Sequence, residues 1–374
     1  MNFDPNIHAE LVYDGGDRIA VPSRLGTAAG HQLQGTPLEQ LAELAGRVCY
    51  DSLGAPNSRN SFEYHAHIRS VRHGSVYEHC AFTVEVRERL GGANVFAPIT
   101  VETAALAMLN RPGVFVRFVP GALRVTLNLR SAMEFDQWSA PVEDTIYATV
   151  RGPLTREGNR LAPRVVDAFE FDDGRLSMEV VEPQTDDEKW ISLLMCGSRG
   201  MSHELVRHGD WTAISQRSTR YVNEDESPWV EHPLVTQLIR PAIDGQTRKH
   251  PAIVQAGNTV HSARETYSVV RETLETAALE RGVDKLTARK QARGAARGYL
   301  GNALYTELIF SASVAQWRRM LATGSSPRCS DAADAEIRVL FAKALRELQR
   351  SRYGDRFADF TLRPAKDGIG EVLV

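Results

Sequence analysis

Apolar residues recur at helical spacing through Leu38–Tyr50, where Leu38, Leu41, Leu44, Ala45 and Val48 share one face. Glu63–Arg72 reads as a second helix that runs into His73-Gly74-Ser75, and Ala81–Val86 alternates as a strand does. Val114–Val119 and Leu123–Leu129 read as strands joined by the turn pair Pro120-Gly121. Val165–Phe171 and Leu176–Val181 read as a hairpin around Asp172-Asp173-Gly174, after a polar stretch, Pro141–Arg164. Trp190–Cys196 is a core segment, and beyond it helix dominates. Arg199–His208 is one such helix, followed by a polar stretch to residue 225. His261–Gly282 places Tyr267, Val270, Leu274 and Ala278 on one face and ends at a glycine. Leu286–Leu300 is Ala- and Arg-rich, and Asp331–Arg350 carries Ile337, Leu340, Phe341, Leu345 and Leu348 at helical spacing. The first 35 residues, rich in Gly, Pro and Asp, read as an irregular arm. This order predicts an α+β fold rather than an alternating parallel-sheet one.

Composition narrows the class. The chain has 374 residues, 43% of them hydrophobic and 24% charged, enough for a sizeable core beneath an ordinary surface. A net charge of -3 argues against general nucleic-acid affinity, while local basic clusters such as Arg289–Arg297 suit a small phosphorylated ligand. Cys49, Cys80, Cys196 and Cys329 form no CxxC pair, which offers neither a disulfide framework nor a structural zinc site. No apolar run approaches the roughly 20 residues of a bilayer helix, and the N-terminus lacks a signal-peptide pattern. A soluble, cytoplasmic chain with no membrane partner is the expectation.

Three segments carry candidate chemistry. In residues 202–222, His203-Glu204 and His208 suggest a zinc-protease helix, but the histidines are five apart, roughly 140° round a helix, so they cannot share a metal. A phosphate reading fits better: Ser218-Thr219-Arg220 sets two hydroxyls beside a guanidinium, with Arg207 nearby. Gln216 has the donor and acceptor to read an amide edge such as that of a pyrimidine. A solvated polar loop is the alternative. In residues 73–82, His73 and His79 read by themselves as cap or core histidines, and Cys80 as a buried apolar residue. In residues 288–308, Arg289, Arg293 and Arg297 line one helix face, which is either solvated or collects an anion.

Together and in order, these segments resemble the flavin-dependent thymidylate synthases (ThyX). His73–His79 is similar to that family's histidine-glycine-x-serine-x-x-glutamate-histidine segment, one residue shorter. Ser198–His208 resembles its S-R-x-x-x-H-E/Q-L-x-R-H-R helix, and Ser218–Tyr221 its S-x-R-Y element. Ala296–Asn302 resembles its A-R-x-x-L-P-N turn with Gly301 in place of proline, and Ala333–Arg338 its A-D-x-E-I-R helix. The resemblance implies a ThyX-like antiparallel sheet with packed helices, formed by residues 36–87 and 191–352. Residues 88–190 are then a partly β insertion, 1–35 an N-terminal arm and 353–374 a C-terminal tail.

It further implies a homotetramer with sites at subunit interfaces, FAD as cofactor, and methylenetetrahydrofolate and NADPH as co-substrates. Activation of the pyrimidine would come from fixed hydrogen bonds and positive charge. Glu204, Arg207, Gln216, Ser218, Thr219, Arg220 and Arg297 align with nucleotide-binding positions. Ser218 and Arg220 would hold phosphate, and Arg297 would face the pyrimidine; Arg297, Ser218 and Arg207 are the catalytic candidates. Ser75, His79 and His208 align with flavin-side positions.

Three departures stand out. Gly209 replaces the second arginine of R-H-R, in a segment one residue longer than usual. The C-terminal N-x-R reads Ser313-Val314-Ala315, and the arginine that closes the same helix falls near Gly324. The insertion itself contains Asn128-Leu129-Arg130, an N-x-R sequence that is either a replacement flavin contact or a chance match. These departures favour a specialised methylase acting on UMP, similar to those of polyoxin-type antibiotic pathways. Methylation of dUMP by an ordinary thymidylate synthase, hydroxymethylation, and a non-catalytic nucleotide-binding module are the alternatives.

Overall fold

The computed structural model describes residues 6–25, 32–53, 59–71, 73–88, 113–134, 176–208, 212–239, 251–322 and 327–374. The expected strand Val165–Phe171, the stretch Pro141–Arg164, Gly209 and Gly324 lie outside them.

Two four-stranded antiparallel sheets share one helix. The first consists of β1 (His8–Tyr13), β6 (Trp190–Ser198), β8 (Tyr305–Ser313) and β7 (Thr212–Gln216), in that order. β6 is buried along its whole length because both faces are covered. Ile191, Leu193 and Met195 alternate onto one face, joined by Leu308, Phe310 and Ala312 of β8. That face packs on α7 (Val314–Ala322) and α8 (Ala335–Arg350), and the Trp317 indole of α7 donates to the Ile191 carbonyl at 3.0 Å. Leu194, Cys196 and Ile309 point the other way, onto Leu41, Leu44, Ala45 and Val48 of α1 (Pro37–Tyr50). A capping box opens α1: Thr36 accepts from the Glu39 amide while Glu39 accepts from the Thr36 amide.

The second sheet, β3 (Val114–Val119), β4 (Ala122–Asn128), β2 (Ala81–Glu88) and β5 (Leu176–Val181), is built around β2. β4 and β5 therefore flank β2, one on each side, and β3 extends the sheet beyond β4. Gly121, at φ +73°, makes the tight turn between β3 and β4. This sheet packs on Leu38 and Ala42 of α1 and on Tyr64 and Ile68 of α2 (Ser61–Ser70). An ion network ties it to the chain before β6: buried Arg124 of β4 pairs with Glu85 and Glu188, and Glu188 also pairs with Arg117.

Several expectations change. Residues 8–13 of the supposed arm are an edge strand on β6. The supposed tail forms a 3-10 turn, Gly354–Phe357, and a hairpin of β9 (Leu362–Pro364) and β10 (Glu371–Leu373). Its Phe357, Ile369 and Val372 are buried. The polar stretch after residue 208 contains β7, whose alternating burial reflects an edge position with one face covered. The helices α4 (Arg199–Leu205), α5 (Pro251–Glu280) and α6 (Lys285–Ala296) complete the C-terminal half. α5 begins ten residues before the expected His261, and Tyr267 is its only fully buried side chain among the described residues. No described helix is long and apolar enough to cross a membrane.

Candidate functional site

Helix α4 is fixed at its first turn by a residue far along the chain. Ser198 caps it by accepting from the Met201 amide, and the Glu336 carboxylate accepts from both the Ser198 amide and its hydroxyl, each at 2.6 Å. Burial raises the Glu336 pKa, and the Ser198 hydrogen bonds oppose that. Gly197 is required beside it, since a Cβ there would lie 2.8 Å from the Glu336 carboxylate.

Arg199, the first residue of α4, was not anticipated from sequence. Its guanidinium makes no hydrogen bond or ion pair among the described residues, although it is largely buried. Burial pulls its pKa below the ordinary arginine value, Glu224 offsets this, and Arg297 and Arg217 reinforce it. Arg217 is occupied by Glu224 at 2.8 Å, Ser227 at 3.1 Å and Asp51 at 3.4 Å. Arg297, exposed in the 3-10 turn Arg297–Tyr299 that ends α6, has no such partner among the described residues. Arg199, Arg217 and Arg297 thus form a cationic group in which Glu224 is the nearby acidic residue.

Gln216, at the end of β7, has a fixed orientation. Ser202 Oγ donates to the Arg199 carbonyl, so it must accept from Gln216 Nε2, at 2.9 Å; the same nitrogen reaches Thr306 Oγ1 at 3.0 Å. This turns Oε1 outward as an acceptor, the group needed for an imide N–H. Ser218 and Arg220 follow on a turn where Ser218 Oγ accepts from the Arg220 amide at 3.4 Å. Arg220 is exposed, but Thr219 is buried, so its hydroxyl is not available to a ligand as expected. Helix α6 braces this turn: Arg293 donates to the Tyr221 carbonyl, and Lys290 lies 5.1 Å from the Tyr221 ring centre. Arg289, on the same stripe, pairs with Glu275 of α5.

Glu204 and His208 are brought together by Arg328, a second residue missed from sequence. Its guanidinium, 8% exposed, donates to His208 Nε2 at 2.7 Å, to the Glu204 carboxylate and to the Glu204 carbonyl at 3.2 Å. Burial and Arg328 hold the His208 pKa below the usual value. Arg207 points to solvent, 3.4 Å from Glu204, and shares no contact with Ser218 among the described residues. His203 and His208 ligate nothing together, and the described residues hold no metal-binding cluster.

The flavin-side expectations divide. Ser75 is half-buried on the 3-10 turn Gly74–His79. His79 is instead a core residue: Nδ1 meets Ser311 Oγ at 2.7 Å, Nε2 is buried without a partner, and desolvation pushes its pKa down to about 3. It cannot touch a ligand in this arrangement, in keeping with the residue-level reading rather than the alignment. Asn128 is committed as well, since its Oδ1 accepts from the Ser131 amide at 2.8 Å and caps α3 (Leu129–Glu134). Arg130 of that helix lies across Gly74 and pairs with Glu78. His73 meets the Tyr50 hydroxyl at 3.3 Å, and Tyr50 packs edge-on against Tyr221 at 4.7 Å, which joins this turn to the Ser218–Tyr221 loop. Where an N-x-R cation was sought, Ser313 Oγ caps α7 by accepting from the Gln316 amide, and Ala315 contributes only its amide, to the Asp186 carbonyl.

The protein is thus of α+β class, with Arg199, Arg217 and Arg297 grouped together and a Gln216 amide oriented by Ser202 and Thr306. Residues 191–351 match the family model described as "Thymidylate synthase complementing protein". The chain is 33% identical over 179 residues to a protein named "Flavin-dependent thymidylate synthase" from Mycobacterium tuberculosis, covering 48% of this chain and 64% of that one. It is 34% identical over 182 residues to a protein of the same name from Mycobacterium sp. (strain KMS), covering 48% and 65%. The chain thus spans just under two thirds of the length of these relatives.

Proposed function

We propose that this chain uses FAD and methylenetetrahydrofolate to methylate C5 of a uridine monophosphate nucleotide, with dUMP as substrate and NADPH as the source of electrons. The observation that carries the reading is Arg199, which makes no hydrogen bond or ion pair among the described residues and starts the helix whose Ser202 orients Gln216, with Arg297 near enough to Arg199 to perturb it. In this reading Arg199, Arg297 and Arg220 hold the phosphate, and Gln216 Oε1 accepts the N3–H of the base. Arg328 keeps Glu204 and His208 in place and adds a buried positive charge beside them.

The donor chemistry fits a flavin. His73, Ser75 and Arg130 on one side, and Tyr50, Tyr221 and Lys290 on the other, offer aromatic faces and cations to a flat, anionic molecule. FAD, once reduced, would supply hydride to the transferred carbon. Assembly into a homotetramer belongs to the same proposal. Val254, Val269 and Leu279, exposed along one side of α5, give apolar side chains of the kind subunits cover.

The curated relatives are thymidylate synthases, which supports dUMP over the UMP favoured by the sequence departures alone. An anaerobic assay with FAD, NADPH and methylenetetrahydrofolate, comparing dUMP and UMP by product mass, tests this. A product one methyl group heavier, formed faster from dUMP, is expected. Faster turnover of UMP would restore the ribonucleotide reading. No product from either, with no flavin bound, would leave a non-catalytic nucleotide-binding module.

A further inference from the structure

The insertion places a cation on the turn next to the candidate cofactor surface. β4 ends at Asn128, whose side chain caps α3, so the residue two positions later has a set direction. Gly113 holds this corner closed: a Cβ there would lie 2.6 Å from both the Asn128 amide nitrogen and the Ser131 hydroxyl. Arg130 then runs across the Gly74 backbone, with its Cγ, Cδ and Nε all 3.6 Å from where a Cβ would stand. Its guanidinium reaches Glu78 on the same turn, and the side chain remains 39% exposed. The neighbouring His73 is joined through Tyr50 to Tyr221, over which lie Arg220 at 5.7 Å and Lys290 at 5.1 Å.

Aromatic rings flanked by separate cations match a ligand with a flat ring system and a dianionic linker. At the insertion end of this wall, Arg130 is the cation exposed enough to meet a ligand while its stem is held rigid. Its carboxylate partner is on the surface as well, at 28% exposure, so an incoming phosphate can displace a solvent-screened pair rather than a buried one.

We propose that Arg130 is a cofactor-binding residue supplied by the insertion, and that it holds the diphosphate of FAD in place of Glu78. This rests on the flavin reading above. A guanidinium–diphosphate contact of this kind carries about 10- to 100-fold in affinity.

The test is titration of the full chain with FAD and with riboflavin, which lacks phosphate, followed by quenching of flavin fluorescence. Arg130→Ala is expected to weaken FAD by about 10- to 100-fold while riboflavin affinity stays within about twofold. Arg130→Lys should recover part of the loss. Unchanged FAD affinity in Arg130→Ala overturns the assignment, and so does an equal loss of FAD and riboflavin, which would make Arg130 a scaffold residue. A wild-type chain that binds neither flavin overturns the flavin reading and this assignment with it; the other two failures leave that reading standing.

Discussion

Two buried histidines should make this protein acid-labile in a calculable way. His79 is wholly enclosed between the 3-10 turn and the first sheet, and desolvation holds its pKa at about 3. His65 of α2 is buried against Tyr77, and desolvation lowers its pKa to about 4. Unfolded, both return to the ordinary value near 6.5. With folded pKa values depressed, the unfolded chain takes up protons first as the pH falls, so this stability is present above about pH 6.5 and declines below it. At about pH 5 each histidine accounts for a loss of about 2 kcal/mol, or about 4 kcal/mol together. The assay is the urea midpoint at about pH 7.5 and about pH 5 for the wild type and for His79→Gln, which keeps a polar group near Ser311 but cannot titrate. The variant should lose about 2 kcal/mol less over that interval than the wild type. An identical loss in both proteins would refute the claim that His79 is buried and neutral.

Three other substitutions test the ion network, the helix support and the site. Glu188→Ala leaves Arg124, 2% exposed, without its principal partner and should cost about 3–5 kcal/mol in thermal unfolding. Arg117→Ala, at a position 28% exposed, should cost much less. Glu336→Ala removes both acceptors from Ser198 and should destabilise the fold by about 2–3 kcal/mol in urea. It should also weaken dUMP binding, because Arg199 emerges from the same turn. Arg199→Ala should weaken dUMP by about 10- to 100-fold in calorimetry. Its melting temperature should hold, since the guanidinium makes no hydrogen bond or ion pair among the described residues; a large fall in melting temperature would mark Arg199 as structural.

What was legible in the sequence follows from burial pattern. α1 and α8 were legible because their largest apolar residues recur at helical spacing, although burial spreads over most of each helix, and β3 and β4 because a turn pair separates two β-rich runs. β8 was missed although it is central: Tyr305–Ser313 is buried on both faces and mixes Thr306, Ser311 and Ser313 with apolar residues, so it shows no alternation. Those hydroxyls are accommodated by hydrogen bonds to Gln216, His79, Ser192 and the Gln316 amide, contacts that only tertiary structure provides. β1 was hidden by its short length and by a neighbourhood rich in glycine and aspartate. In the site, the loop residues Ser218 and Arg220 were identifiable by type, but the directions of Thr219, Asn128 and His79 were not. A short motif shows which residues are present without showing which of them face inward.

The ordered motifs are tied to one another, or to residues beside them, by polar contacts that span long stretches of chain. Glu336 of the last motif secures Ser198 of the first helix motif, 138 residues away. Arg328 joins Glu204 to His208 across 124 and 120 residues, Thr306 and Ser202 orient Gln216, and Arg293 fixes the Tyr221 carbonyl. A change at one of these positions strands a half-buried polar group at the other, which restricts them jointly. The second sheet is outside that restriction. Its strands β3, β4 and β5 pair among themselves and with β2, so none of these contacts passes through them. On the reading proposed above, a change in these strands leaves the residues around Gln216 in place, while α3 sets Arg130 against Gly74 where a cofactor would lie.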